Sequence, residues 1–350
     1  MRHPLSRQQG LSIIELMIAI TLGLILTVGL TQIFVSNRQT FDVTEARTRV
    51  QEAGRMAVEM LNRAVRNADY WGCSSLSSGN VVNNLDPGGT GFDSVTLGFG
   101  DGLEGADDNT NGSDAIRDGT DSFTIRGVRG AEGVEIVTPM TQASAVLRVN
   151  EPGPLQAGDI VFISNCNGGD IFQASGVTGT TGNTNIGHNT GNMDPGNFNP
   201  SNPGCPGSNA HCLSQVYDEG AKINLPYYEA YYVGTGLSGE PALFMSRAQM
   251  SGGNIGVTQE IELIEGVEDM QILYGEDTDG DGTVNAWRDA DAVADMNAVL
   301  AMRISLLVRS PQEDVFDTPQ EYTFNGSTVT ASDNRLRSVY TSTATIRNRM

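Results

Sequence analysis

The chain has 350 residues and a formal net charge of −21, with 42 acids against 21 cations. That balance excludes a nucleic-acid binder working through a general basic surface, because phosphate contacts need cationic side chains. Glycine, Asn, Asp, Ser and Thr are abundant, which predicts many turns and few long helices.

The charge is unevenly placed. Residues 1–66 hold eight arginines against five acids, net +3, while residues 67–350 hold 13 cations against 37 acids, net −24. The first ten residues are short, polar and basic, with Arg2 and Arg7. Leu11–Val35 then contains one charged residue, Glu15. As a helix rising about 1.5 Å per residue, this run spans roughly 37 Å, enough to cross a hydrocarbon core of about 30 Å. Arg2 and Arg7 before the run predict a cytoplasmic N-terminus and an exported body. The run is too long for a secretory signal core and lacks an A-x-A-like site at its end.

Glu15 is the informative exception. A carboxylate inside an apolar helix is costly and needs a partner or a role. A cut between Gly10 and Leu11 makes Glu15 the fifth residue of the mature chain, one helical turn from a new α-amino cation. In a staggered bundle one chain's Glu15 then neutralises a neighbour's amine in a medium of low dielectric constant.

The helix is expected to run on to about residue 67. Val43, Ala46, Val50, Ala53, Ala57, Met60 and Ala64 fall at spacings of three and four, a stripe that lays one face on something apolar. A free coiled coil is the alternative, but four alanines make a thin seam, so the protein's own sheet is the expected partner.

Beyond Trp71 short β-like runs alternate with turns: 122–128, 134–138, 145–149, 159–164, 227–233, 242–247, 267–275, 299–310 and 335–349. No strand–helix–strand alternation occurs, which favours an antiparallel sheet with meander connections. Large loops are expected near 74–121 and 178–211. The organisation is therefore 1–10 leader, 11–35 membrane and assembly helix, 36–68 amphipathic extension, and 69–350 one β-rich body.

Four cysteines in an exported chain favour two disulfides. Three connectivities exist. Cys205–Cys212 closes the turn-rich CPGSNAHC, and Cys73–Cys166 ties the helix exit to a strand. Zinc fails on spacing, since no Cys-x-x-Cys occurs. The clearest metal signal is Asp277–Asn285, DTDGDGTVN. Asp277, Asp279 and Asp281 alternate, Gly282 permits a sharp bend, and Thr283 and Asn285 can complete an EF-hand-like Ca2+ loop. Arg288 stands where the bidentate Glu belongs, so Asp289 or Asp291 is the expected substitute; an Asp/Gly hairpin that binds nothing is the alternative.

Enzymatic chemistry is not supported. No H-E-x-x-H, P-loop lysine or G-x-S-x-G context exists, and the histidines are His3, His188 and His211. Asp107–Asp108 and Glu219 read as solvated acids.

The string QQG–LSIIELMIAITLGLIL resembles the class III prepilin signal of type IV pilins and type II secretion pseudopilins. The resemblance implies cleavage by a prepilin peptidase after Gly10, methylation of the Leu11 amine, and an assembly role for Glu15. Leu11 replaces the usual phenylalanine. GVEDMQILYGEDTDGDGTVNAW, AMRISLLVRS and TSTATIRNR resemble the C-terminal part of PilW-type minor pilins, as does the Gly72–Cys73 pair after the helix. This second resemblance implies an α+β, pilin-like fold, with a long N-terminal helix on an antiparallel sheet with large loops. It also implies a minor pilin built with other minor pilins and the major pilin into a pilus-initiating or tip complex. A minor pseudopilin of type II secretion, or a membrane-anchored calcium-dependent adhesion or DNA-capture module, are the alternatives.

Overall fold

The computed structural model describes residues 12–72, 80–109, 116–190, 193–198, 211–252 and 254–349. Helix α1 runs unbroken from Ile13 to Asn67. Ser12 caps it, and no proline interrupts it before Asn67. Its second half buries Ala46, Val50, Gly54, Ala57, Leu61, Ala64 and Val65 on one face. The expected stripe holds, with Gly54 and Leu61 at its centre and Ala53 and Met60 on its flank.

The strands are β1 (Val81–Asn83), β2 (Leu103–Ala106), β3 (Ser122–Thr138), β4 (Leu147–Val149), β5 (Ile160–Asn165), β6 (Gly168–Gln173), β7 (Gly176–Thr180) and β8 (Asn183–Gly187). After them come β9 (Lys222–Thr235), β10 (Pro241–Ala248), β11 (Thr258–Glu265), β12 (Val267–Glu276) and β13 (Ala286–Arg288). The chain then forms β14 (Val299–Arg309), β15 (Glu321–Phe324), β16 (Ser327–Thr330) and β17 (Arg337–Thr345). A one-turn helix, α2 (Ser94–Leu97), precedes β2.

Eleven strands form one sheet with the path β1-β6-β5-β9-β3-β4-β8-β7, to which β2, β10 and β11 attach. A second sheet has the order β13-β12-β14-β17, and β15–β16 is a separate hairpin. The pairing is antiparallel except β1 with β6, so the antiparallel expectation holds with one parallel exception. The strands are not a simple meander, since β9 lies between β5 and β3. Two expected strands, 122–128 and 134–138, are one, because β3 continues through an irregularity between Gly130 and Glu135. The expected loops carry structure too: β1, α2 and β2 in the first, and the β7–β8 hairpin at the second.

Helix α1 packs on β17 and β14. Between them lies the largest apolar group, with Val50, Leu61, Met302, Ile304, Leu306 and Ile346. Two further groups centre on Ile136, Leu147 and Phe172, and on Trp71, Phe99 and Phe162. The helix exit is stitched to all sides. Tyr227 Oη donates to the Asn67 carbonyl at 2.8 Å, Asn348 Nδ2 donates to the Ala68 carbonyl at 2.8 Å, and Arg349 Nε donates to Asp69 Oδ2 at 2.7 Å. The first two of these bonds satisfy carbonyls that a helix C-terminus leaves open. Trp71 sits edge-on to Phe162 at 5.4 Å and anchors the turn after the helix.

Candidate assembly site and acidic clusters

From Ile13 to Val35, α1 is exposed almost throughout. Ile13, Leu16, Leu24, Ile25, Leu30, Phe34 and their apolar neighbours are exposed around the whole circumference. The segment is long and apolar enough to cross a membrane. Its hydroxyls are satisfied within the helix: Thr21 donates to the Met17 carbonyl at 2.6 Å, Thr27 to Gly23 at 2.8 Å and Thr31 to Thr27 at 2.8 Å. A helix surface with no open backbone or hydroxyl group is what hydrocarbon tolerates.

Gly10 and Leu11 lie outside the described residues. Glu15 is placed at the very start of α1. Its Oε2 accepts the Ser12 N–H at 2.9 Å, and the Glu15 N–H donates to Ser12 Oγ at 3.2 Å. This is a reciprocal capping box. The carboxylate therefore turns back toward the chain preceding the helix, the side on which Leu11 lies in sequence.

The Asp277 turn brings part of its expected set together. One oxygen each of Asp277, Asp279 and Asp281 lie within 4.8 Å of one another. Asp277 Oδ1 accepts the Gly280 N–H at 2.7 Å and Oδ2 the Gly282 N–H at 2.8 Å, with Gly280 and Gly282 at φ 76° and 84°. The Gly282 N–H is the main cause that holds this carboxyl below its ordinary range. Thr283 donates to Asp281 through its N–H at 2.8 Å and its hydroxyl at 2.5 Å. Asn285 Oδ1 accepts the Thr278 N–H at 2.9 Å. Arg288 Nε turns to Glu276, 3.1 Å away. Asp289 is not among the three gathered carboxylates; its charge acts on Asp107 instead.

A second group includes acids that the sequence presents as solvated surface. Asp107, Asp108 and Asp121 also bring oxygens within 4.8 Å of one another. Asp121 is buried at the entry to β3, where it accepts the Asp108 N–H at 3.0 Å and the Ile272 N–H at 2.7 Å. Burial pushes its carboxyl up to about 7, and burial likewise raises Asp107. No local signal marks Asp121, because the Ile272 amide that fixes it is 151 positions away.

Elsewhere the body matches several buried or half-buried acids with arginine. Arg337 Nε is 2.7 Å from Glu268, Arg335 Nη2 is 3.1 Å from Glu240, and Arg349 Nε is 2.7 Å from Asp69. His188 and His211 meet through their Nδ1 atoms at 3.0 Å, and His188 Nε2 lies 2.9 Å from the Ala145 carbonyl. Burial holds both imidazoles below their ordinary value, His211 at about 4. The geometry is structural, with a donor Nε2–H on His188 and a donor Nδ1–H on His211.

Cys166 follows directly on β5, and neither it nor Cys212 is a free thiol. Cys73 and Cys205 lie outside the described residues, so each expected bridge has one end there.

Two family models match the chain. Residues 230–348, about a third of it, match Type IV Pilus-assembly protein W, and residues 5–31 match the Prokaryotic N-terminal methylation motif. No curated protein and no solved structure gives a significant match. The first match spans the end of β9 through β17, which includes the whole sheet that receives α1, and the second covers the exposed start of that helix. The methylation motif thus opens the long helix, and the region similar to Type IV Pilus-assembly protein W forms the sheet beneath it.

Proposed function

We infer that this chain is a minor pilin. It enters the inner membrane with its N-terminus in the cytoplasm, is cut by prepilin peptidase between Gly10 and Leu11, and is methylated on the Leu11 amine. It then joins other minor pilins and the major pilin in a pilus-initiating or tip complex. The observation that carries the reading is the exposed apolar half of α1 with Glu15 at its first turn.

The role is assembly, not catalysis. The apolar half of α1 packs among neighbouring pilin helices, where removal of its side chains from lipid and close helix contact hold the subunit. Glu15 supplies the register, because a carboxylate in that environment is stable only beside a cation such as a neighbour's amine. The acidic body faces outward, with bridges Cys73–Cys166 and Cys205–Cys212 and with calcium on the Asp277 turn, a hard-oxygen site.

Two variants test the reading. Gly10→Ala is expected to accumulate as an unprocessed precursor on a gel, and Glu15→Ala to be processed but absent from sheared pili. Normal processing of the first, or normal incorporation of the second, refutes it.

A further inference from the structure

The buried Asp69, Glu229 and Glu276 have arginine partners, and the buried Asp170 is met by the side chains of Asn84, Ser214 and Tyr217. Among the described residues, no arginine or lysine forms an ion pair with Asp107, Asp108, Asp121, Asp289 or Asp291. Yet Asp121 is only 2% exposed, its carboxylate and those of Asp107 and Asp108 converge within 4.8 Å, and Asp289 and Asp291 add their charge at Asp107. Like charges gathered in a poorly solvated place repel strongly unless they share a proton or a cation joins them.

A second observation is independent of the carboxylates. Tyr274, on β12, is 1% exposed, and its hydroxyl has no hydrogen-bond partner among the described residues. The hydroxyl lies against Gly105, where a Cβ would stand 2.3 Å from the oxygen, two positions before Asp107. The charges that act on it are those of Asp121 and Asp107. A buried O–H in the field of two carboxylates, bonded to no described residue, lacks an acceptor that a water on a bound ion supplies.

We propose that Asp107, Asp108 and Asp121 hold a calcium ion, and that a water in its shell accepts the Tyr274 O–H. The donors are all hard oxygens, with no imidazole or thiolate, which disfavours zinc. Asp108 is exposed, so the ion keeps an open side for several waters, as calcium's flexible coordination allows. The consequence is mechanical. Asp107 and Asp121 belong to the β2–β3 side of the eleven-stranded sheet, whereas Tyr274 and the Ile272 amide belong to β12 of the four-stranded sheet. The ion fastens one sheet to the other.

The test uses the full chain in detergent, stripped with chelator and then titrated with calcium chloride. The triple variant Asp277→Ala/Asp279→Ala/Asp281→Ala removes the other acidic turn. In that background calcium is expected to raise Tm, and adding Asp107→Asn is expected to weaken the binding at least tenfold. Asp107 is only partly buried, so this change leaves folding intact. Terbium emission excited through tyrosine is expected in the triple variant and lost with Tyr274→Phe. Loss of every calcium response in the triple variant, or unchanged affinity with Asp107→Asn, overturns the site. Neither outcome touches the pilin reading, which stands or falls with Glu15.

Discussion

The two halves of α1 share one backbone and have opposite surroundings. From Ile13 to Val35 large apolar side chains are exposed on every side, and from Ala46 to Val65 a single stripe is buried against the body. A helix that is apolar all round belongs in lipid or among other helices, while one with a stripe belongs on a core. The composition marks the change: arginines and glutamates enter at Arg38 and continue to Arg66, outside the stripe. One continuous helix thus carries two independent functions, anchoring by its first half and folding by its second.

That independence can be broken by substitution, most sharply at leucine. Leu61 is 1% exposed, and Leu61→Ala is expected to cost the body about 2–5 kcal/mol in thermal or denaturant melting of the full chain in detergent. Leu24→Ala, on the exposed half, is expected to leave that melting unchanged and to lower incorporation into pili. Equal losses of stability would mean that the two halves are one packed unit.

A smaller effect is expected at Gly54. A Cβ there would stand 2.3 Å from the Tyr340 ring, so the ring must shift. Alanine is favoured over glycine by about 1 kcal/mol within a helix, yet the clash reverses the sign. Gly54→Ala is expected to lower the melting temperature, and Tyr340→Ala in the same chain to relieve the clash in a double-mutant cycle. Additivity of the two changes would show that the contact does not matter.

The smallest effect belongs to the solvated face. Arg63 and Glu59 pair at 3.1 Å with both side chains well exposed, so Arg63→Ala is expected to change stability by no more than about 0.5 kcal/mol. A larger change would place a neighbour on that face.

The helix and the strands around it are readable in the sequence because their signal is periodic. A three-and-four stripe defines α1, and the apolar runs of β9, β12 and β14 define the strands. Strands that break the pattern are not readable. β6 begins Gly168–Gly169, which reads as a turn, but a side chain at Gly169 would strike the Phe162 ring at 2.4 Å. β11 carries Glu260, Glu262 and Glu265 and looks like a charged loop, although it pairs along β10. β8 hides one core residue, Ile186, in a polar hairpin. The Asp277 turn is visible because its three carboxylates are close in sequence. The Asp107–Asp121 group is assembled across β2, β3 and β12, where only the fold brings its parts together.

The helix rests on the strand that arrives last. β17 lies under α1; Asn62 and Ser342 bond at 2.8 Å, and Asn348 and Arg349 close on Ala68 and Asp69, each across 280 positions. Ribosomes deliver chains from the N-terminus, so α1 reaches the membrane long before its partner exists. Until β14 and β17 are delivered, the Ala46–Val65 stripe lacks the sheet that covers it. A product halted before Ser338 lacks β17 and so leaves part of that stripe open to proteases. Order of synthesis therefore leaves completion of the helix seat to the end, because only a chain translated through β17 covers that stripe in full.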